Sequence, residues 1–186
     1  MKKVIYLALL GVTLAQLHGC ADLSPGGEAT TVDRRTTVVY LSDQEIELRA
    51  MNRLHESFPQ GNISISPTSY NRQLLLTGQV PDEATRTRAA EVMRSIPDVR
   101  TVFNETVVSG VTSLTSDSND VAITTQVKTR MLQDDHVPSI KVKVVTEAGV
   151  VYLMGLVTRP EGEAAAKVAS TTGGVTKVVK LFEYIN

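Results

Sequence analysis

The 186-residue chain holds one cysteine, no tryptophan and three histidines. A single thiol excludes an internal disulfide and any site built from several cysteines, so stability must come from packed cores. Phe and Tyr supply 4% of the residues, and those cores must therefore be assembled from Val, Ile, Leu, Ala and Met. Basic residues (19) do not outnumber acidic ones (20), and the overall balance lacks the cationic excess needed to neutralise nucleic-acid phosphates; no nucleic-acid partner is expected. Beyond residue 17 no apolar run approaches the roughly 20 residues that span a bilayer. A G-x-S-x-G elbow, a Gly-rich phosphate loop and an H-E-x-x-H pair are all missing.

What is present begins at the N-terminus. Lys2 and Lys3 precede the apolar run Val4 to Leu17, which has signal-peptide length. It ends in Leu17-His18-Gly19-Cys20, a small residue followed at once by the only cysteine. That ending resembles a lipobox, although His18 departs from its usual small or uncharged residue. The resemblance implies that residues 1–19 are removed and that Cys20 is the lipid attachment site. Several acyl chains on one residue hold a protein stably at a bilayer, since each buried methylene contributes about 0.8 kcal/mol. Ala21 follows the cysteine and Asp22 comes one place later; by resemblance to enterobacterial lipoproteins this points to the outer membrane. The periplasmic face is the expected side, with exposure at the cell surface left open by the sequence. Removal of the signal leaves 17 basic against 20 acidic residues, a net charge near −3. Residues 20–41, opening with Ser24-Pro25-Gly26-Gly27, read as a flexible tether. About 20 such residues span on the order of 25 Å.

The remainder is one unit written twice, 77 positions apart. Ile46, Ala50 and Leu54 recur as Ile123, Val127 and Met131, and Leu76-Thr77-Gly78-Gln79-Val80 recurs as Leu153-Met154-Gly155-Leu156-Val157. Two small domains follow, residues 42–110 and 119–186, with a linker at 111–118. Each reads helix, strand, strand, helix, strand. Ser42-x-x-Glu45 marks the start of the first helix, whose apolar residues recur every fourth position. Strands are expected at Asn62 to Pro67, Arg72 to Val80 and Val99 to Val108. The second copy places them at Ile140 to Val144, Val150 to Val157 and Val175 to Ile185. Pro81-Asp82-Glu83 and Thr158-x-x-Glu161 open the second helices. Ile140, Val142 and Val144 alternate with Lys141 and Lys143, which predicts a sheet wet on one face. The fold class is α+β, with two helices on one face of a three-stranded sheet in each copy.

These αββαβ units, each with an apolar-x-Gly-x-Val strand end before an Ala-rich helix, resemble BON domains. The tandem behind a lipobox, with Asn119-Asp120-x-x-Ile123-Thr124-Thr125 and Val151 to Thr158 in its second copy, is similar to outer-membrane lipoproteins carrying two such domains. The resemblance implies a non-enzymatic protein that binds anionic phospholipids such as phosphatidylglycerol and cardiolipin. It also implies support of envelope integrity, enrichment at division sites, and lipid contact through the first helix of the second domain. Envelope proteins are the alternative partners.

The residues themselves favour the same helix. With Ile123, Val127 and Met131 facing the core, 100° per residue sends Val121, Thr125, Lys128, Thr129 and Leu132 to the opposite side, with Ala122 on its flank. These six are the candidate phospholipid-binding residues. Residues 119–133 carry a net charge of +1, whereas the matching stretch 42–56 carries −2, and anionic headgroups attract each nearby basic residue by about 1 kcal/mol. Ala122 stands where similar sequences can carry a tryptophan, so no aromatic anchors this helix at headgroup level.

Gly78 and Gly155 are expected to let the chain turn and the next helix approach. Lys141, Lys143, Lys177 and Lys180 are candidates for a basic open sheet face, or for edge protection. His55 and His136 do not correspond in the repeat, and Asp134-Asp135-His136 before Pro138 reads as a helix exit. No catalytic residue, metal or cofactor is expected.

Overall fold

The computed structural model describes residues 33–109 and 117–186. The signal segment, Cys20, the tether through residue 32 and positions 110–116 of the linker region lie outside the described residues.

The first copy runs α1 (Thr37–Ser57), β1 (Ser64–Tyr70), β2 (Gln73–Val80), α2 (Glu83–Arg94), β3 (Thr101–Asn104) and β4 (Val107–Val108). The second runs α3 (Asp117–Leu132), a 3-10 turn (Ser139–Lys141), β5 (Val142–Glu147), β6 (Val150–Val157), α4 (Arg159–Ser170) and β7 (Lys177–Tyr184). In each sheet the middle strand, β2 or β6, pairs antiparallel with the strand before it and parallel with the strand after the helix. The parallel pairing requires a crossover, which α2 and α4 supply.

Helix starts follow side-chain caps. Asp82 accepts from the Thr85 N–H at 2.7 Å, and Glu161 accepts from the Thr158 N–H at 2.7 Å. The first helix departs from expectation. It begins at Thr37, where the Thr36 hydroxyl accepts from the Val39 N–H, so Ser42 and Glu45 lie inside it and residues 37–41 are helix instead of tether. Three elements differ in detail. Ile140 sits in the 3-10 turn and is exposed, so it does not share the strand alternation of Val142 and Val144 that the sequence suggests. The last strand of the first copy is broken between β3 and β4, where the Glu105 N–H donates to the Leu76 carbonyl and Thr106 bonds Asn104. β1 begins and ends later than expected, at Ser64–Tyr70.

Three apolar cores result. Ile46, Ala50 and Leu54 pack with Leu74, Leu76 and Met93 between helices and sheet of the first copy. Ile123, Val127 and Met131 pack with Val151, Leu153 and Ala165 in the second. The third core overturns the expectation of a wet sheet face: Tyr70 and Leu75 of the first sheet join Tyr152, Met154 and Leu181 of the second in one buried cluster. Both middle strands are thus buried on both sides, which is why Leu74-Leu75-Leu76 and Val151-Tyr152-Leu153-Met154 are continuous apolar runs. The lysines offered for that face are placed elsewhere. Lys143 pairs with Glu47 of α1 at 2.7 Å, and Lys180 pairs with Glu163 of α4 at 2.7 Å. Lys141 is half-buried and Lys177 exposed.

The two glycines are structural for a different reason from the one expected. A Cβ on Gly78 would lie 1.9 Å from the Ser64 carbonyl oxygen, and one on Gly155 would lie 2.6 Å from that of Lys141. The close approach comes from β1 at Gly78 and from the 3-10 turn leading into β5 at Gly155, not from the next helix.

Candidate phospholipid-binding site

α3 presents the candidate residues. Ile123, Val127 and Met131 are buried, and the other side of the helix exposes Val121 (66%) and Leu132 (69%) together with Ala122, Thr125, Lys128 and Thr129. The Thr125 hydroxyl donates to the Val121 carbonyl at 2.8 Å, and that of Thr129 to the Thr125 carbonyl at 2.9 Å. These hydroxyls already have partners within the helix, which lowers the cost of taking the face out of water.

The charge on this face is narrower than the sequence count suggests. Asp120 accepts from the Ala148 and Gly149 N–H groups of the β5–β6 turn. Arg130 reaches across to the end of α4, donating to the Val168 carbonyl and to Thr171 and Thr172. Neither α3 cation has an ion pair among the described residues, but Arg130 is engaged by these neutral acceptors, which leaves Lys128 as the uncommitted charge of the helix.

Beside α3 lies an open groove of about 370 Å³ that both copies line. Lys128 and Leu132 of α3 and Ile140 line it from the second copy, Tyr40 and Gln44 of α1 from the first, together with Arg35 and Lys143. Arg35 is bound to Asp33 and to Asp43, and its guanidinium lies 4.0 Å over the Tyr70 ring. The Tyr70 hydroxyl donates to the Lys141 carbonyl, and burial pushes it above its ordinary range. Arg34, which precedes Arg35, crosses to the second copy, making two bonds to Glu161 and one to the Leu156 carbonyl. That guanidinium holds the Glu161 carboxyl at about 2, against an opposing contribution from burial.

α1 exposes an apolar stripe of its own, Val38, Leu41, Leu48 and Met51. Charge counting over residues 42–56 did not reveal it, because two of its members precede Ser42; extending the helical period upstream would have done so. Asp134 accepts from His136 in an exposed loop. Among the described residues no group of three or more His, Cys, Asp or Glu side chains is placed to hold a metal ion, and no helix is long and apolar enough to cross a membrane.

The αββαβ architecture, its duplication and the exposed first helix of the second copy define a class. The family model described as "BON domain" matches residues 42–110 and 119–186, and the chain belongs to this family. It is 36% identical over 183 residues to "Outer membrane lipoprotein DolP" of Haemophilus influenzae, covering 96% of this chain and 94% of that protein. It is 30% identical to the "21 kDa hemolysin" of Actinobacillus pleuropneumoniae, over 86% of this chain and 83% of that one. A third relative is "Osmotically-inducible protein Y" of Escherichia coli, 28% identical over 75% of this chain and 71% of that protein.

Proposed function

We propose that this protein is a non-enzymatic lipoprotein of the outer membrane, held at the periplasmic face by lipid on Cys20. Its second BON domain binds anionic phospholipids, phosphatidylglycerol and cardiolipin, through the outer face of α3. Membrane residence comes from the anchor, and selection of where in the membrane the protein gathers comes from α3. Support of envelope integrity, with enrichment at division sites, is the role that follows. The observation carrying this reading is that Val121 and Leu132 stand two-thirds exposed on either side of Lys128. Aliphatic side chains that gain about 1.5–3 kcal/mol each on full burial flank a cation that an anionic surface attracts. The kinship to an outer membrane lipoprotein supports the location.

Cys20 and Asp33 are 13 positions apart. That length of chain reaches at most about 45 Å, so the folded part always works close to the bilayer. Flotation of residues 21–186 with phosphatidylcholine vesicles, with and without phosphatidylglycerol or cardiolipin, tests the proposal. Co-flotation confined to the anionic vesicles is expected; no binding at low salt overturns it.

A second reading has its own observation. The stripe Val38, Leu41, Leu48 and Met51 on α1 lies on a helix whose segment 42–56 is acidic, a poor match for anionic lipid and a better one for an envelope protein with a basic, apolar surface.

A further inference from the structure

We infer that the groove between α1 and α3 is a composite site for one anionic phospholipid molecule, with the first BON domain supplying one of its walls. This rests on the phospholipid reading above and adds to it a defined seat, instead of adsorption on a helix face alone.

The groove lining contains three cations and no carboxylate. Two of the cations are answered from outside the lining, Arg35 by Asp33 and Asp43, and Lys143 by Glu47. Lys128 is not, and it supplies the site's net positive charge, suited to a phosphodiester. Ser139 lines the same groove, and a serine hydroxyl is a neutral donor of the kind a phosphate oxygen accepts from.

Next to Lys128 the rim is aliphatic. Leu132 and Ile140 (58%) are both largely exposed and line the groove with Lys128. A free phosphate ester leaves those two side chains in water; a glycerophospholipid covers them with the upper part of an acyl chain. The charge and the apolar rim together therefore select the lipid over the soluble ester. From the first copy the lining takes Tyr40, in the part of α1 that precedes Ser42, and Gln44 one turn further on, so the upstream extension of the helix supplies the aromatic member of this side. Tyr40 also packs on Arg35, 5.1 Å from its ring centre to the guanidinium, which ties this wall to the segment leading from the anchor.

The test uses the full lipidated chain in phosphatidylcholine vesicles with or without phosphatidylglycerol. A photoreactive phenylalanine analogue replaces Val121 on the outer face of α3, Ile140 or Gln44 in the groove or, as a control away from both, Leu41, and lipid adducts are read by mass spectrometry. Circular dichroism verifies folding of each variant, and Tyr40 serves as the alternative first-domain position if a Gln44 variant misfolds. The expected result is phosphatidylglycerol adducts from 121, 140 and 44, with the adduct at 44 falling about fivefold in Lys128→Ala and the control at 41 unchanged. Adducts at 121 without any at 44, or an adduct at 44 indifferent to Lys128→Ala, overturn the composite site and leave the helix-face reading standing. No phosphatidylglycerol preference at 121 overturns the helix-face reading. Loss of the adducts at 140 and 44 on adding glycerol phosphate makes the groove a soluble-ester site and overturns the lipid assignment.

Discussion

Asp43 and Asp120 hold the same place in the two copies, and each carboxylate clamps the hairpin turn of its own sheet. Asp43 accepts from the N–H groups of Asn71 and Arg72 at 2.8 and 2.7 Å; Asp120 accepts from those of Ala148 and Gly149 at 2.7 and 2.9 Å. Asn71, Arg72, Ala148 and Gly149 all have positive φ, as a tight two-residue turn demands. The carboxylate gives those turn amides partners that the strand ladder does not provide.

The two clamps differ in burial. Asp43 is 0% exposed and also accepts from Ser69 and Arg35, so Asp43→Ala leaves a buried guanidinium without one of its two carboxylates. We expect Asp43→Ala to cost about 3–5 kcal/mol and Asp120→Ala about 1–2 kcal/mol, measured by urea denaturation. Equal losses would contradict the inequality of the two sites.

Alanine at Gly78 and at Gly155 separates the two glycines. Both meet a carbonyl oxygen, but only Gly78 adds a positive φ of 109°. Gly78→Ala is therefore expected to exceed about 3 kcal/mol and to impair folding, with Gly155→Ala milder. Thermal melts of the pair decide the order.

The Arg34–Glu161 bridge carries a pH signature. Glu161 is held at about 2, below its ordinary 4.5, so its contribution is complete above 4.5 and disappears as pH falls through 2. Both side chains are about one-fifth exposed, and solvent screening trims the effect. Glu161→Gln should flatten the fall in melting temperature across this window, and should speed amide exchange at residues 34–36. An unchanged pH slope would show that the bridge does not stabilise the fold.

Membrane contact has a matched control. Lys128→Glu and Leu132→Glu are expected to weaken binding to phosphatidylglycerol vesicles about tenfold or more while melting temperatures hold, since Lys128→Glu removes one attraction and adds a repulsion of about 1 kcal/mol each, and Leu132→Glu replaces an aliphatic contact by a repelled charge. Met51→Glu and His55→Glu, the equivalent positions of α1, should change binding little. Co-sedimentation measures all four; losses from both helices would remove the asymmetry between the copies.

The shared third core couples the copies. Leu75→Ala, in the first sheet but packed with Tyr152 and Met154, should cost about 2–5 kcal/mol and accelerate amide exchange in β6 as well as β2. Separate unfolding of the two copies would contradict this coupling.

Much of this molecule was legible along the chain. The faces of α1 and α3 followed from residues three and four apart, because a helix sets its own periodicity locally. The duplication, the αββαβ order and the outward placement of Val121, Lys128 and Leu132 followed likewise. What lay beyond reading was set by long-range docking. Alternation around Lys143 suggested a wet sheet face, yet that lysine turns to Glu47 while Leu75 and Met154 bury against each other's sheets. Arg130 and Asp120 counted as charges of a lipid-facing helix until each found a partner within its own domain. Tertiary packing alone decided these, since a sheet's second face and a long charged side chain take whatever neighbour the fold brings, and no local spacing names it. The sequence by itself determined two BON domains and the side of α3 that remains free; the structure decided that they share a core and, between them, leave a groove with one unpaired cation.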